Sequence, residues 1–216
     1  MKKHFFKIAI FAMVSLSSSI SVQAQGLAIY GGLSTPNNEI GNVYNDNTTF
    51  ESLAGTADMG YHFGARYRMP LAASFMLSGG VSWNRFPESK VFIMRPNSND
   101  TLGGLATVNN IIPVALGLDY VIFNKGLGMF VGGELAYNYI STTTELIYQN
   151  QTIPYEKDET QNRVGGAVGL GVFFDAKIAT AIVDVKYNVV NLIGKENNED
   201  SKNYVTLSLG LMLGGM

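Results

Sequence analysis

The sequence predicts an all-β protein, an eight-stranded antiparallel up-and-down transmembrane β-barrel behind an N-terminal signal peptide. Three observations support this prediction. Eight stretches alternate between apolar and small or polar residues, long polar connections alternate with tight ones, and charged residues make up only 15% of the chain. Alternation with a period of two is the pattern of a strand whose two faces meet different surroundings. Many soluble domains carry about a quarter charged residues, so a different kind of surface replaces the usual charged exterior.

The N-terminal segment has the features of a secretory signal peptide. Basic residues within positions 2–7 precede an apolar run at 8–16, and the triplet Val-Gln-Ala at 22–24 resembles a cleavage site. The run is well short of the ~20 residues that a membrane-spanning helix needs. We therefore expect export, with a signal peptide at 1–24 and one domain at 25–216.

The first half of that domain contains the predicted strands 26–34, 58–69, 73–85 and 110–123. Each has one largely apolar face. The apolar faces carry, in order, Leu27, Ile29 and Leu33; Met59, Tyr61, Phe63, Ala65, Tyr67 and Met69; Phe75, Leu77, Val81 and Trp83; and Ile112, Val114, Leu116, Leu118, Tyr120 and Ile122.

The second half repeats the pattern at 127–140, 163–174, 179–190 and 204–213. In the last of these strands every second residue is aliphatic, from Val205 to Leu213, whereas the residues between them are smaller or more polar. No later segment of the chain is apolar and long enough to predict a transmembrane helix.

The connections between these strands alternate strictly in length. The long ones are 35–57, 86–109, 141–162 and 191–203, and the tight ones are 70–72, 124–126 and 175–178. Pro70 and the sequence Asn-Lys-Gly at 124–126 are suited to turns. In a meander, this alternation places all long connections at one end of the barrel and both chain termini at the other.

The apolar faces could point outward to lipid, or inward as in a soluble lipocalin-like barrel of the same topology. The opposite faces consist mostly of Gly, Ala and Ser with isolated charges, which suits a narrow filled lumen better than a water-facing exterior. Aromatic residues gather near the strand ends, as in the interfacial girdles of membrane barrels. They are Tyr61, Trp83, Tyr137 and Tyr139 near the long connections, and Tyr67, Tyr120 and Phe174 near the short ones. We therefore expect lipid outside, and pairing of the first strand with the eighth, because free edges would leave backbone groups unpaired in hydrocarbon.

This combination of an export signal, eight alternating strands, three tight turns and four long connections resembles the small outer-membrane β-barrel superfamily, the porin-like group that includes the opacity and attachment proteins. The resemblance extends over essentially all of 25–216. It implies an integral protein of the outer membrane of a Gram-negative-type bacterium, with membrane lipid and the barrel-assembly machinery as partners. Many members end on an aromatic residue that helps the machinery recognise the last strand, whereas this chain ends on Met216.

Ionisable residues on the inward faces are the candidate site. They are His62, Arg66, Arg68, Asp119, Glu134, Asp184 and Lys186. The predicted ion-pair clusters are Arg66 and Arg68 with Asp119, and Lys186 with Glu134 and Asp184. An eight-stranded interior is just wide enough to be filled by side chains, and buried charges persist only when they are paired. The favoured interpretation is a plugged lumen, and a gated ion path is the alternative.

We expect no catalytic site, cofactor or metal. His62 is a lone histidine on an inward face, which is interpreted as a hydrogen-bonded filler. The glycine-rich run 165–171 lacks the spacing of a phosphate-binding loop, and its inward glycines are predicted to make room for bulky neighbours such as Phe130. A net charge of −2 with no basic cluster argues against binding nucleic acid.

Binding is expected at the long connections, since loops on a rigid scaffold commonly carry function. Two polar, mildly acidic segments are candidates, 155–160 and 195–202. The leading functional prediction is a structural or surface-interaction role through long extracellular loops, with an unknown extracellular partner. The alternatives are a narrow channel for ions or small solutes and the soluble lipocalin-like ligand-binding barrel.

Overall fold

The computed structural model describes residues 26–37, 40, 59–72, 74–94, 101–148, 151–176, 178–197 and 199–213. Within them, eight antiparallel strands form one closed barrel in which each strand pairs with the next and the last pairs with the first. The strands are β1 (Gly26–Pro36), β2 (Gly60–Ala72), β3 (Phe75–Met94), β4 (Thr101–Lys125), β5 (Leu127–Tyr148), β6 (Gln151–Asp175), β7 (Ala179–Ile193) and β8 (Asn203–Leu213). The predicted barrel fold is confirmed. No helix in these ranges is long and apolar enough to cross a membrane.

The predicted signal peptide and Met216 lie outside the described residues. Closure of the barrel is complete along β1, because its pairing with β8 extends from Leu27 opposite Leu213 to Pro36 opposite Tyr204. The predicted turn at 124–126 is present, and Gly126 adopts a φ of 82°, a conformation that glycine reaches without strain.

Two of the predicted long loops are wrong, since most of 86–109 and 141–162 is strand. β3 continues to Met94 and β6 begins at Gln151, and the pairing extends across all strands between them, with Phe92, Gly104, Ile147 and Thr152 in one row. Pairing with β2 stops at Arg85 and pairing with β7 stops at Val164. Residues 87–94, 101–108, 142–148 and 151–159 therefore continue beyond the barrel, and we call them the β3–β6 extension.

The physical reason for this error is that the sequence signal depends on a contrast between two faces. Alternation is strong only where one face meets hydrocarbon and the other meets the lumen. A paired segment beyond the barrel satisfies its backbone groups by pairing alone and needs no such contrast. The candidate binding segment 155–160 is accordingly part of β6 rather than a loop.

The apolar faces point outward. Leu209 is 67% exposed and Leu135 is 68% exposed, whereas Ser208, the neighbour of Leu209, is only 3% exposed. The same alternation runs along β8 from Tyr204, which is buried, to Leu213, which is exposed. This arrangement contradicts the lipocalin-like alternative, which requires the apolar faces inside.

Aromatic side chains pack together on the outer surface at both ends of the barrel. Trp83 lies edge-on to Tyr61 and Phe63, with ring centroids 5.9 and 5.1 Å apart, and its Nε1 donates a hydrogen bond to Asn110 Oδ1. At the short-turn end, the rings of Phe75 and Tyr120 are 5.1 Å apart. Rings with polar tips at these heights suit the two interfaces of a bilayer.

Leu209→Arg is expected to lower the free energy of unfolding of the barrel in lipid vesicles by about 2–4 kcal/mol, the cost of arginine near the midplane of a membrane barrel. Leu209 lies in the middle of the outward row of β8. Reversible urea unfolding in vesicles measures the change. The control is Leu213→Arg at the end of the same row, where the cost should fall to about 0–1 kcal/mol. Equal losses at both positions would contradict contact of this face with hydrocarbon.

Candidate functional site

The lumen is filled in three layers. An apolar layer at the short-turn end, the lower cluster, comprises Ala28, Phe130, Phe173, Ile182 and Met212. A second apolar layer at the long-connection end, the upper cluster, comprises Ile40, Phe86, Ile111, Ile140, Val190 and Tyr204. Between them lies the ionic layer, which comprises Arg66, Arg68, Asp119, Glu134, Asp184 and Lys186.

The lower cluster is built from aromatic rings that pack over glycines. The rings of Phe130 and Phe173 are stacked with centroids 6.4 Å apart. A Cβ atom at Gly128 would lie 2.0 Å from Phe173 Cζ, and one at Gly171 would lie 2.5 Å from Phe130 Cζ. Glycine is therefore needed at these positions because the rings occupy the space, as predicted for the inward glycines near Phe130.

The ionic layer contains two short contacts. Arg68 Nε donates to Asp119 Oδ2 at 2.9 Å, and Lys186 Nζ donates to Glu134 Oε2 at 2.6 Å. Arg68 also lies over the ring of Phe130, with Cζ 4.5 Å from its centroid. This stacking joins the ionic layer to the lower cluster.

Arg66 does not pair as predicted. It contacts Glu134 Oε2 at 3.4 Å and Asp184 Oδ2 at 3.9 Å. These are the two carboxylates predicted for Lys186, so Arg66 is in the Lys186 cluster and not in the Asp119 cluster. The guanidinium extends from β2 across the lumen to β5 and β7, passing Tyr30, whose ring centroid is 5.2 Å from Cζ. Strand order cannot predict such a contact, because the partners are not neighbours in the sheet.

The charges of the ionic layer balance. Three cationic side chains face three carboxylates. Five of the six residues are buried, and the side chain of the sixth, Glu134, is 15% exposed. Removing charges from water is costly unless each is paired and hydrogen-bonded, and a balanced set meets that requirement. This layer can hold the lumen closed without leaving an excess charge.

His62 uses both ring nitrogens inside the lumen. Nδ1 lies 3.0 Å from Ser34 Oγ and Nε2 lies 3.1 Å from Ser208 Oγ, which joins β1, β2 and β8. Asn84 on β3 continues this network, since Ser34 Oγ donates to its Oδ1 at 3.5 Å. His62 could be predicted as an inward residue, but these partners could not, because the inward faces contain many similar small and polar residues.

The upper cluster lies at the other end of the lumen. Ile40, in the turn that follows β1, is 1% exposed and packs among side chains from five strands. Phe86 and Tyr204 lie edge-to-face with centroids 5.4 Å apart. Ile40 could not be predicted from the sequence, because it falls in a predicted loop where the residues show no periodic pattern.

A buried polar network ties the β7–β8 connection to the barrel. Asn191 Nδ2 donates to Glu199 Oε1 at 2.9 Å, and Asn191 Oδ1 accepts from the backbone N–H of Lys202 at 2.8 Å. Arg163 Nη2 on β6 donates to Glu199 Oε2 at 3.3 Å and to Glu196 Oε1 at 3.0 Å. We call Arg163, Asn191, Glu196 and Glu199 the rim clamp.

A β-bulge on β7 makes the rim clamp possible. On β6, Gly166 and Val164 are two residues apart, but their partners on β7, Val189 and Ile193, are four residues apart. β7 therefore has extra residues at this point. As a result both Val190 and Asn191 are buried, although they are consecutive. Bulges commonly re-aim a side chain in this way.

Asn37 supplies a second tie at the same end. Its backbone N–H donates to Asn203 O at 2.8 Å, its Oδ1 accepts from Asn203 N at 3.0 Å, and its Nδ2 donates to Ser201 O at 2.8 Å. The candidate binding segment 195–202 is therefore held against the rim at its C-terminal end, while Lys195, Glu196 and Asp200 remain exposed.

Asn191→Ala is expected to release the β7–β8 connection without unfolding the barrel. The substitution removes the acceptor of the Lys202 amide, and a typical net hydrogen bond contributes about 0.5–1.5 kcal/mol. Amide exchange at Lys202 should therefore accelerate about tenfold, as measured by hydrogen–deuterium exchange in lipid nanodiscs. Asn197→Ala, an exposed position in the same connection, is the control and should leave exchange unchanged. Unaltered protection of Lys202 in Asn191→Ala would exclude the clamp.

Side chains that could form a metal site do not come together in the described part of the chain: no three His, Cys, Asp or Glu residues there are placed to hold an ion. A lumen cavity lined by His62, Glu134 and Lys186, among others, has a volume of about 30 Å³, which is room for water-sized molecules.

No protein-family model matches this sequence, and no curated protein does. Solved structures do match. Neisserial surface protein A is 14% identical, with 88% of this chain and 96% of that chain covered at a TM-score of 0.53. Ail, the attachment invasion locus protein of Yersinia pestis, is 14% identical over 88% and 99% at a TM-score of 0.48, and the N-terminal β-barrel domain of Pseudomonas aeruginosa OprF is 13% identical over 88% and 98% at a TM-score of 0.43.

At 14% identity the similarity to Neisserial surface protein A shows fold alone, and it agrees with the closed barrel. The resemblance drawn from the sequence is confirmed at that level. The chain has the fold of the small eight-stranded outer-membrane β-barrels.

Proposed function

We propose that this protein is an integral protein of the outer membrane of a Gram-negative-type bacterium and that it acts at the cell surface rather than as a pore. Its β3–β6 extension would be the interacting part, displayed on a closed and rigid barrel. The observation that carries the proposal is that apolar clusters fill both ends of the lumen while four strands continue beyond the barrel.

Membrane lipid and the barrel-assembly machinery are the partners within this proposal. The outward apolar rows of the barrel and the aromatic groups at its two ends support the first. The proposed direction of the extension is extracellular, since outer-membrane barrels place short turns in the periplasm and long connections outside.

The extension supports a surface role because its backbone is ordered by pairing. Pairing of β4 with β5 continues from Asn109 opposite Thr142 to Gly104 opposite Ile147. A paired platform presents its residues at fixed positions, and this lowers the entropic cost of binding a partner. The extracellular partner itself stays undefined in the proposal.

The absence of enzymatic activity is part of the same proposal. His62 is the histidine of the candidate site, and both of its nitrogens contact serine hydroxyls between the two apolar clusters. A catalytic histidine needs access to substrate, whereas His62 lies between the two apolar clusters of the described residues.

A shortened protein tests the surface role. Asn-Gly turns would join Phe86 to Asn109 and Ser141 to Thr160, which are cross-strand pairs in β3–β4 and β5–β6. Cells displaying the full or the shortened protein are compared for aggregation and for adhesion to immobilised matrix proteins and polysaccharides. Heat-modifiable mobility confirms that the shortened barrel folds. We expect cells with the full protein to adhere more strongly than cells with the shortened protein. Uptake of small solutes should be unchanged by either protein.

Adhesion that is equal for the full and shortened proteins, or solute uptake that rises with the full protein, would overturn the surface role. The second candidate is a narrow channel, which is favoured by the charged side chains that line the lumen cavities. It requires both apolar clusters to move aside, and conductance across planar lipid bilayers separates it from the first.

A further inference from the structure

Two small cavities flank the Lys186–Glu134 contact. The upper cavity has a volume of about 30 Å³ and is lined by polar side chains that include His62, Asn84 and Ser208. The lower cavity has a volume of about 10 Å³ and is lined by Asp119 and Asp184 among others. Glu134 and Lys186 line both cavities, so their contact lies between them.

We propose that both cavities are binding sites for buried water, and that the lower water donates a hydrogen bond to Asp184 Oδ1. A cavity needs roughly 10–15 Å³ of this volume to hold one water, so the upper cavity accommodates two or so and the lower cavity one. A buried water also needs between two and four polar partners. Both linings provide them.

The buried carboxylate oxygen Asp184 Oδ1 indicates what the lower site binds. Asp184 Oδ2 contacts Arg66, but the buried Oδ1 has no hydrogen-bond partner among the described residues. A buried acceptor without a partner costs about 1–3 kcal/mol, and more when it is charged. One water in the adjoining cavity removes that cost, since it can donate to Oδ1 and to a second acceptor.

Lys186 also has hydrogen-bonding groups that water could satisfy. Its ammonium group carries three N–H donors, and among the described residues Glu134 Oε2 is the acceptor that the structure gives to Nζ. The group lies between the two cavities. A buried ion pair is stable only when its remaining donors are also satisfied, and water on either side would satisfy them.

The charge balance favours water over an ion. The ionic layer pairs three cations with three anions, so an additional ion would bring an uncompensated charge into a closed lumen. The described residues also contain no cluster of three metal-ligating side chains. A neutral molecule that both donates and accepts hydrogen bonds fits this layer.

The apolar clusters imply that these waters exchange slowly with the solvent. Ile40, Phe86 and Tyr204, which are buried side chains of the upper cluster, lie between the ionic layer and the long-connection end. On the other side, the lower cluster separates the lower cavity from the short-turn end. The proposed waters therefore lie between the two apolar clusters.

Alanine-to-valine variants provide a matched test, because Ala115 lines the upper cavity and Ala167 lines the lower one. A high-resolution crystal structure of the full chain should show ordered water in both cavities. In Ala167→Val the lower water should be lost and the upper waters kept, and Ala115→Val should give the reverse. Water–protein nuclear Overhauser effects on the wild-type protein in nanodiscs should show long-lived water beside Gly80 and Gly132, which line the two cavities.

Empty cavities together with no long-lived water signals would overturn the proposal, and so would density coordinated as an ion. The nuclear Overhauser measurement needs no variant, so the proposal stays testable if either valine variant fails to fold. Loss of both sets of waters in each single variant would contradict the assignment of two separate sites.

Discussion

Glu134→Gln will lower the free energy of unfolding of the barrel by about 3–5 kcal/mol, the range found when one member of a buried ion pair is removed. Glu134 contacts Lys186 at 2.6 Å and Arg66 at 3.4 Å, and its side chain is 15% exposed. Glutamine preserves the shape but leaves three buried cations facing two carboxylates. Reversible urea unfolding in lipid vesicles measures the loss.

The control for this prediction is Glu196→Gln, since Glu196 also pairs with an arginine but is 40% exposed. Its cost should stay within about 1 kcal/mol, as for surface ion pairs. The double variant Glu134→Gln, Lys186→Met restores charge balance and should recover most of the lost stability. A single variant as stable as the wild type would show that the ionic layer does not depend on charge pairing.

Phe173→Ala will cost about 3–5 kcal/mol of folding free energy, as for other truncations of buried aromatic residues. The ring is 1% exposed, stacks on Phe130 and fills the space above Gly128. Its removal opens a cavity in the lower cluster and takes away the support of the ring on which Arg68 lies. The same unfolding assay measures the effect.

The neighbouring Phe174→Ala is the matched control, because Phe174 is 56% exposed on the outer face. Lipid can fill the space left by that ring, so its removal should cost clearly less than that of Phe173. Equal losses for the two variants would contradict the inward and outward assignment of this strand.

The strand pattern could be predicted from the sequence because each barrel strand has one face in hydrocarbon and one in the lumen. That contrast fixed the inward position of Glu134 and the outward position of Leu209, and both follow from a period of two. The resemblance to small outer-membrane barrels then followed from the connections. The comparison with Neisserial surface protein A agrees with it at the level of fold.

The features that could not be predicted depend on contacts across the lumen or on irregular backbone. The partner of Arg66 lies on a strand that is not its neighbour, and the burial of Asn191 depends on a β-bulge. Ile40 and Glu199 fall in segments that have polar, loop-like sequences. The β3–β6 extension lacks the contrast between faces that marks the barrel strands. In each case the three-dimensional arrangement, rather than local sequence, decides the contact.

Conductance across planar lipid bilayers tests directly whether two apolar clusters and an ionic layer close the lumen. The wild-type protein is predicted to insert without defined unitary conductance. Phe173→Ala should behave in the same way, since the upper cluster still closes the lumen. Reproducible unitary channels from the wild-type protein, lost in Glu134→Gln, would show that the lumen is open and that the protein is a narrow channel instead.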